Sequence, residues 1–313
     1  MLYIPTKFST MQKAKLSLII STFCFSSLSL FAQQIADTLY NPEISNPVYT
    51  RGSGPIVLID DAHSNFHTLN GRFKPFANVL EKDGYVVHAS SSTFTMEQLS
   101  KGKILVIANA LHPSNTKQWT LPTPSAFTDI EIEVVNGWVK EGGSLFLIAD
   151  HMPFPGAAEK LAASFNFKFY NGFAMKNGGK DIFSTGKGLI SNVLTQGRNE
   201  SETITSLQTF GGQAFEIPEG AYPVIVLDSH YKVKMPQAAW QFNKDMLVIS
   251  GENLLQGAYM KYGKGRIVVF GEAAMFTAQL QGKNKMGMNL KSAAQNAQFL
   301  LNTIHWLDGI LHQ

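Results

Sequence analysis

The residues best able to do chemistry in this chain gather at the ends of apolar runs. The stretch "LIDDAHSNFH" (58–67) places Asp60, Asp61, His63 and His67 directly after an aliphatic segment. Similar groups follow other such runs: Asn109 and His112 in "NALHP", Asp150 and His151 in "ADHMPFPG", Asp228 and His230 in "LDSHY", and Glu272 after "RIVVFG". Five of the eight histidines occupy these positions.

Two chemistries suit such a set. Histidines and carboxylates together can bind a divalent metal ion such as Zn or Mn; Asp60, Asp61, His63 and His151 are the candidate ligands, although no tight signature such as HExxH occurs. Without a metal, imidazoles serve as general acid and base because they titrate near neutral pH. His63, His67, His151 and Asp150 are then the candidate catalytic groups. Arg72 and Lys74, just downstream of the first cluster, suit a substrate carboxylate or sulfate, and Asn109, His112 and Glu272 are further candidate substrate-binding residues.

Plainer roles compete with these. Asp and Asn commonly follow strands as helix caps and turn formers, which fits Asp61, Asn109 and Asp228 as well as a site does. Arg72 and Lys74 equally suit the solvated start of a helix. Capping is a poor reason to choose imidazole, so His63, His67 and His151 carry the functional reading, whereas His88, His305 and His312 read as structural or merely exposed. No GxGxxG, GxxxxGK[ST] or GxSxG follows an apolar run, which removes dinucleotide, P-loop and nucleophile-elbow chemistry.

The elements that must position these residues follow from the pattern. "PIVLID" (55–60), "YVVHAS" (85–90), "KILVIANA" (103–110) and "SLFLIAD" (144–150) are continuous aliphatic runs, as strands buried on both faces require. Helical segments separate them. Pro75 fits the first turn of "FKPFANVLEKDG", and Thr128 with Glu131 forms a capping box ahead of Ile130, Val134 and Trp138 at helical spacing. Strand alternating with helix predicts an α/β fold with a doubly wound, mostly parallel, flavodoxin-like sheet.

In that order the first, third and fourth strands are neighbours, so the three His-bearing loops share one crevice at their carboxyl ends. From about 167 to 220 glycine and asparagine interrupt the pattern, which predicts an irregular insertion. The sheet is expected to resume with "AYPVIVLDS" (221–229), "DMLVIS" (245–250) and two strands around the Gly-Lys-Gly turn of "GAYMKYGKGRIVVFGE". A closing helix, "NAQFLLNTIHWL", turns Phe299, Leu300, Ile304 and Leu307 inward. There is no internal repeat.

At 313 residues with 44% hydrophobic and 16% charged, the chain has the composition of a globular protein. Its first 32 residues differ: Lys7, Lys13 and Lys15 precede "LSLIISTFCFSSLSLF", ending at Ala32. This reads as a secretory signal peptide cut near Ala32, because the run is short and serine-rich for a membrane anchor. Cys24 follows Phe23 inside the run, which disfavours a lipoprotein. Three lysines and no acid leave with this segment, so 26 basic against 23 acidic residues become 23 against 23. The mature chain, residues 33–54 as a polar lead-in and 55–313 as one domain, is formally neutral and gives no ground for nucleic-acid binding. It also has no cysteine, which excludes disulfides, a thiol nucleophile and thiolate ligands.

The segments "VLIDDAHSNFH", "ADHMPFPGAA", "GRIVVFGEAAMF" and "NAQFLLNTIHWL" resemble a bacterial family of uncharacterised domains related to class I glutamine amidotransferases and to the gliding-motility and intraflagellar-transport versions of that fold. The resemblance spans roughly 55–308 and implies a flavodoxin-like sheet. Amidotransferase chemistry does not carry over, since it needs a cysteine where this chain has Asp150 and His151. Relatives of this kind occur in secreted polysaccharide-degradation systems, which implies a carbohydrate substrate.

The resulting expectation is a periplasmic or secreted enzyme acting on an acidic oligosaccharide, a lyase of the dehydratase type that eliminates water from a uronic acid. It needs a base, an acid and positive charge on the carboxylate, and no covalent nucleophile. The alternatives are a metal-dependent hydrolase using the same His/Asp cluster and a non-catalytic sugar-binding or envelope-assembly module. No membrane span is expected after signal cleavage.

Overall fold

The computed structural model describes residues 1, 2 and 34–312; apart from its first two positions, the expected signal peptide, with Cys24, lies outside the described residues. The aliphatic runs form β1 (Ile56–Asp60), β2 (Val86–Ser90), β3 (Ile104–Ala108) and β4 (Ser144–Ile148). Besides the single turn Met96–Leu99, the helices between and after them are α1 (Lys74–Lys82), α2 (Asp129–Lys140) and α3 (Phe154–Ala163). Further along are β5 (Phe173–Lys176), β6 (Tyr222–Val226), β7 (Tyr231–Met235), β8 (Leu247–Ser250), β9 (Leu255–Tyr262), β10 (Gly265–Phe270) and the closing helix α4 (Asn296–Asp308).

The chain is α/β, with a large central sheet. Its middle is a parallel run in the spatial order β2-β1-β3-β4-β10. The first, third and fourth strands are therefore neighbours. Every residue of β3 and β4 is buried, and alternate side chains enter opposite layers. Val57, Ile59, Val106 and Phe146 pack with α1 and α4; Leu58, Leu105, Leu147 and Ile107 pack with α2 and α3. Each fully buried aliphatic side chain contributes about 2 kcal/mol, so unbroken Val, Ile and Leu is the pattern that two covered faces select.

Beyond β10 the sheet continues antiparallel, with β9 on β10 around the turn at Gly263 and β6 on β9. Gly263 has φ 57°, and a Cβ there would stand 2.5 Å from the Lys140 carbonyl oxygen, so both backbone and space demand glycine. The segment 167–220 contributes β5 as well as outer strands such as Asp181–Thr185 and Ser206–Thr209.

Two expectations need correction. "DMLVIS" does not resume the main sheet: β8 is the edge of a separate antiparallel sheet with β7 and β5, and Leu247 and Val248 are exposed. A short aliphatic run carries the same letters whether or not a second layer covers it. In α2 the spacing Ile130, Val134, Trp138 misplaces only its first member: Trp138 is buried and Val134 half-buried, but Ile130 is 73% exposed, and the buried stripe is Ile132, Val135, Trp138 and Val139. Glu131 decides the rotation. Its carboxylate is drawn inward, which swings the preceding residue about 100° away, toward solvent.

The capping box at Thr128 is present, with the Glu131 amide donating to Thr128 Oγ1 and the Thr128 amide donating to Glu131 Oε2. The buried faces of α4 include Phe299, Leu300, Ile304 and Leu307, together with Trp306. Among the described residues no helix is long and apolar enough to cross a membrane. Thr128→Ala is expected to lower stability by about 1 kcal/mol, read as a lower urea midpoint at unchanged slope.

Candidate functional site

The strand ends bring most of the singled-out residues to the carboxyl edge of the parallel run, but in two separate arrangements. In the first, Asp60 is completely buried at the end of β1. His63 Nδ1 lies 2.8 Å from Asp60 Oδ1, and His63 Nε2 lies 2.9 Å from Glu131 Oε1. Asn65 donates to Asp60 Oδ2 at 2.9 Å, and the Phe94 amide donates to Glu131 at 3.1 Å. The His63 ring rests between Phe94 and Phe127, with centroids at 4.5 and 4.8 Å.

Burial would push the His63 pKa down, but bonds to Asp60 and then Glu131 outweigh it and hold the imidazole above its usual value. Burial likewise works against ionisation of Glu131, yet hydrogen bonds from Thr128 and His63 keep that carboxyl low. His63 is thus an imidazolium clamped between two carboxylates. Both ring nitrogens are occupied, so it staples the β1 loop to α2. Asp61 does similar local work, accepting from the Leu69 amide at 3.0 Å.

The second arrangement centres on Asn109, which follows β3 in a left-handed conformation at φ 52°. Its Oδ1 accepts from the Asp150 amide at 2.8 Å, and its Nδ2 lies 3.1 Å from His67 Nδ1. Only an oxygen can accept from the Asp150 N–H, so the amide nitrogen must face His67. His67 Nδ1 is therefore an acceptor, and the proton of the neutral ring sits on Nε2, a buried atom with no partner. His67 is 3% exposed, and burial, then Arg72 and His151, push its pKa down to about 3.

His151 has the opposite polarity. Its Nδ1–H donates to the Met152 carbonyl at 2.8 Å, which leaves Nε2 as a lone-pair site when the ring is neutral. The ring is stacked on Phe173 at 4.7 Å, meets Trp240 edge-on at 4.7 Å and stands 6.0 Å from Trp119. Phe66 and Phe154 link this wall to His67: Phe66 touches both His67 and Phe154, and Phe154 lies against His151.

Asp150 is half-buried, accepting from the His151 amide at 2.7 Å and the Ala273 amide at 3.4 Å. Glu272 is buried and accepts from the Ala274 and Met275 amides at 2.7 and 2.8 Å. Burial and then the nearby Asp150 charge raise its pKa well above the usual carboxyl value, against the pull of the two amide hydrogen bonds. Arg72 lies 3.7 Å over the Phe66 ring, donates Nη1 to the Phe66 carbonyl and has its Nε buried without a partner.

Other candidates lie apart. Lys74 begins α1, where its amide donates to the Gly71 carbonyl at 3.1 Å and its side chain has no ion-pair partner among the described residues. His112 is on the surface, where its Nδ1 accepts from the Ser114 amide and caps the turn Pro113–Asn115. Asp228 and His230 pair with each other in the open. Among the described residues no three His, Cys, Asp or Glu side chains are grouped to hold a metal ion. Of the four candidate ligands, Asp60 and His63 bond to each other, Asp61 to a backbone amide and His151 to a carbonyl.

Trp119, Phe173 and Trp240 come from segments without periodic pattern, so sequence reasoning missed the aromatic wall. Glu131 was legible only as a cap. Gln213, buried with Nε2 on the Ala149 carbonyl and Oε1 unpartnered, is foreshadowed only by the glycine pair of "TFGGQAFE".

No protein-family profile and no curated protein sequence matches the chain. Solved structures do. The mmIFT52 N-terminal domain aligns at TM-score 0.59 and 15% identity, over 82% of this chain and all of that one. A ThuA-like protein from Bacteroides uniformis aligns at 0.45 and 10%, over 83% and 94%. A GMP synthase protein from Thermoplasma acidophilum aligns at 0.41 and 10%, over 80% and 94%. At such identities the first likeness establishes a shared fold and nothing of activity.

Two measurements check this description. A histidine with a raised folded pKa stabilises fully below its unfolded value of about 6.5, and that stability is lost as pH rises through the folded pKa. Urea midpoints should show such a loss in the natural protein; His63→Gln should lack it and be less stable by about 3 kcal/mol at acidic pH. Long-range nitrogen-proton NMR at pH 5 should find His67 neutral with its proton on Nε2, and a charged ring or the other tautomer would contradict the Asn109 relay.

Proposed function

We propose that the protein is a secreted or periplasmic carbohydrate-active enzyme, a hydro-lyase that eliminates water from a uronic acid of an acidic oligosaccharide. One observation carries the reading. Two imidazoles of opposite polarity follow neighbouring strands and are linked through Phe66 and Phe154, His67 with an unpartnered Nε2–H and His151 with a lone pair on Nε2. Export is proposed from the N-terminal pattern alone. We read the scaffold as doubly wound and flavodoxin-like, supported by the strand order and by helices on both faces; the loops after β1 and β3 then flank the point where that order reverses, the usual ligand position.

The steps follow from the polarity of each group. His151 Nε2 takes the proton from the carbon beside the sugar carboxylate. That carboxylate gains enolate character, which the His67 Nε2–H and the Arg72 guanidinium stabilise. The neighbouring C–O bond breaks, a carbon–carbon double bond forms, and the hydroxyl leaves as water with a proton from the Asp150–Glu272 pair, whose half-buried member is Asp150. The proton on His151 then returns to the carboxyl pair through solvent. Trp119 and Trp240 suit the apolar face of a pyranose, since Trp240 is 56% exposed beside His151.

Incubation with uronic-acid oligosaccharides followed by mass spectrometry is expected to show loss of one water per product. Cleavage with gain of water, or no change, overturns the elimination. His151→Ala should slow it about 100-fold or more, while Trp240→Ala should chiefly raise KM.

A further inference from the structure

The small sheet of β5, β7 and β8 carries a basic strip that leads away from His151. Phe173, on which His151 stacks, pairs with Lys234 across the β5–β7 ladder, and Met175 pairs with Lys232. Paired residues share a face, and residues two apart along a strand point the same way, so Lys234 and Lys232 follow Phe173 on one surface about 7 Å apart. Lys234 Nζ lies 5.2 Å from the centre of the Phe242 ring, which itself stands 5.2 Å from Phe173.

The strip ends in an open cleft of about 500 Å³ that Lys176, Lys187 and Lys232 line, together with Asp228 and His230. Gly178 and Gly179 form its rim at φ 72° and 76°, and nothing lies within 4 Å of a Cβ at either, so the backbone there is open to approach. Two aspartates temper the charge: Asp181 stands 3.7 Å from Lys176, and Asp228 is engaged by the His230 amide and ring. Lys187, Lys232 and Lys234 have no carboxylate within ion-pair distance among the described residues, so the strip is net positive, whereas residues 33–313 taken together carry 23 basic and 23 acidic side chains.

We infer that this strip is an extension subsite that binds the carboxylates of a longer oligouronate whose reacting sugar lies at His151. The inference rests on the reading of the His151 surroundings as a sugar-acid site, and it narrows that reading from an acidic oligosaccharide to one with carboxylates on successive sugars. Spaced anionic groups are what unpaired lysines at strand intervals recognise, and aromatic Phe242 beside Lys234 suits the intervening ring.

Isothermal titration with galacturonic acid, tetragalacturonate and neutral maltotetraose tests it. The natural protein should bind tetragalacturonate about tenfold or more tighter than galacturonic acid, and the gain should shrink with added salt. In a Lys187→Gln/Lys232→Gln variant of unchanged thermal midpoint that gain should vanish. The subsite is overturned if the variant keeps the gain, if maltotetraose binds as well as tetragalacturonate, or if the natural protein binds no oligouronate. Tight, lysine-dependent binding without loss of water instead overturns the elimination and leaves the subsite standing.

Discussion

One side-chain amide organises the candidate site. Asn109 sits between the ends of β1 and β4, accepts from the Asp150 backbone with one atom and presents the other to His67. An amide has a donor end and an acceptor end, so fixing one end fixes the polarity of everything beyond it. The left-handed backbone at Asn109 turns the side chain back across the strand ends; asparagine tolerates that conformation better than a branched residue. The tautomer of His67 is therefore a property of three strand ends held in register, and an aspartate or leucine at position 109 would not transmit it.

The other buried polar unit performs a different task. Asp60, His63 and Glu131 join the first strand's loop to α2 through charge-assisted bonds, and the same Glu131 closes the helix cap. Breaking such a unit leaves an unpaired charge in an apolar setting, which costs far more than the assembled unit contributes. The two histidines of one short loop thus divide the labour: His63 fixes the loop, and His67 is what the fixed loop presents. At the opposite end of the molecule, His305 on α4 is buried against Asp83 at 2.6 Å, a second histidine kept for structure.

Much of the scaffold was legible, because strands covered on both faces must be continuously aliphatic and helices between them must be punctuated by caps and glycines. Convergence of the loops after β1, β3 and β4 followed from that. What the letters could not convey was direction. "DMLVIS" has the composition of a core strand but lies at an exposed edge, and α2 offered two stripes of equal spacing until Glu131 chose one. Imidazole roles were equally opaque, since whether a ring donates, accepts or is clamped depends on partners 42 and 68 positions away. The aromatic wall escaped notice for a similar reason: Trp119 and Trp240 belong to loops that have no period to read.

The division of the chain between sheets has a further consequence. His67, Asn109, Asp150, His151 and Glu272 all hang from the ends of the parallel run, whereas Phe173, Lys232, Lys234, Trp240 and Phe242 belong to the small sheet and the loop that joins its strands. The strand-end polar groups and the aromatic, basic surface beside them are thereby written in different stretches of sequence. The loop 236–246 between β7 and β8 can vary in length and charge without disturbing the Asn109–His67 hydrogen bond. On the reading proposed above, a lineage could change what it binds through that loop while the strand-end groups stay in place.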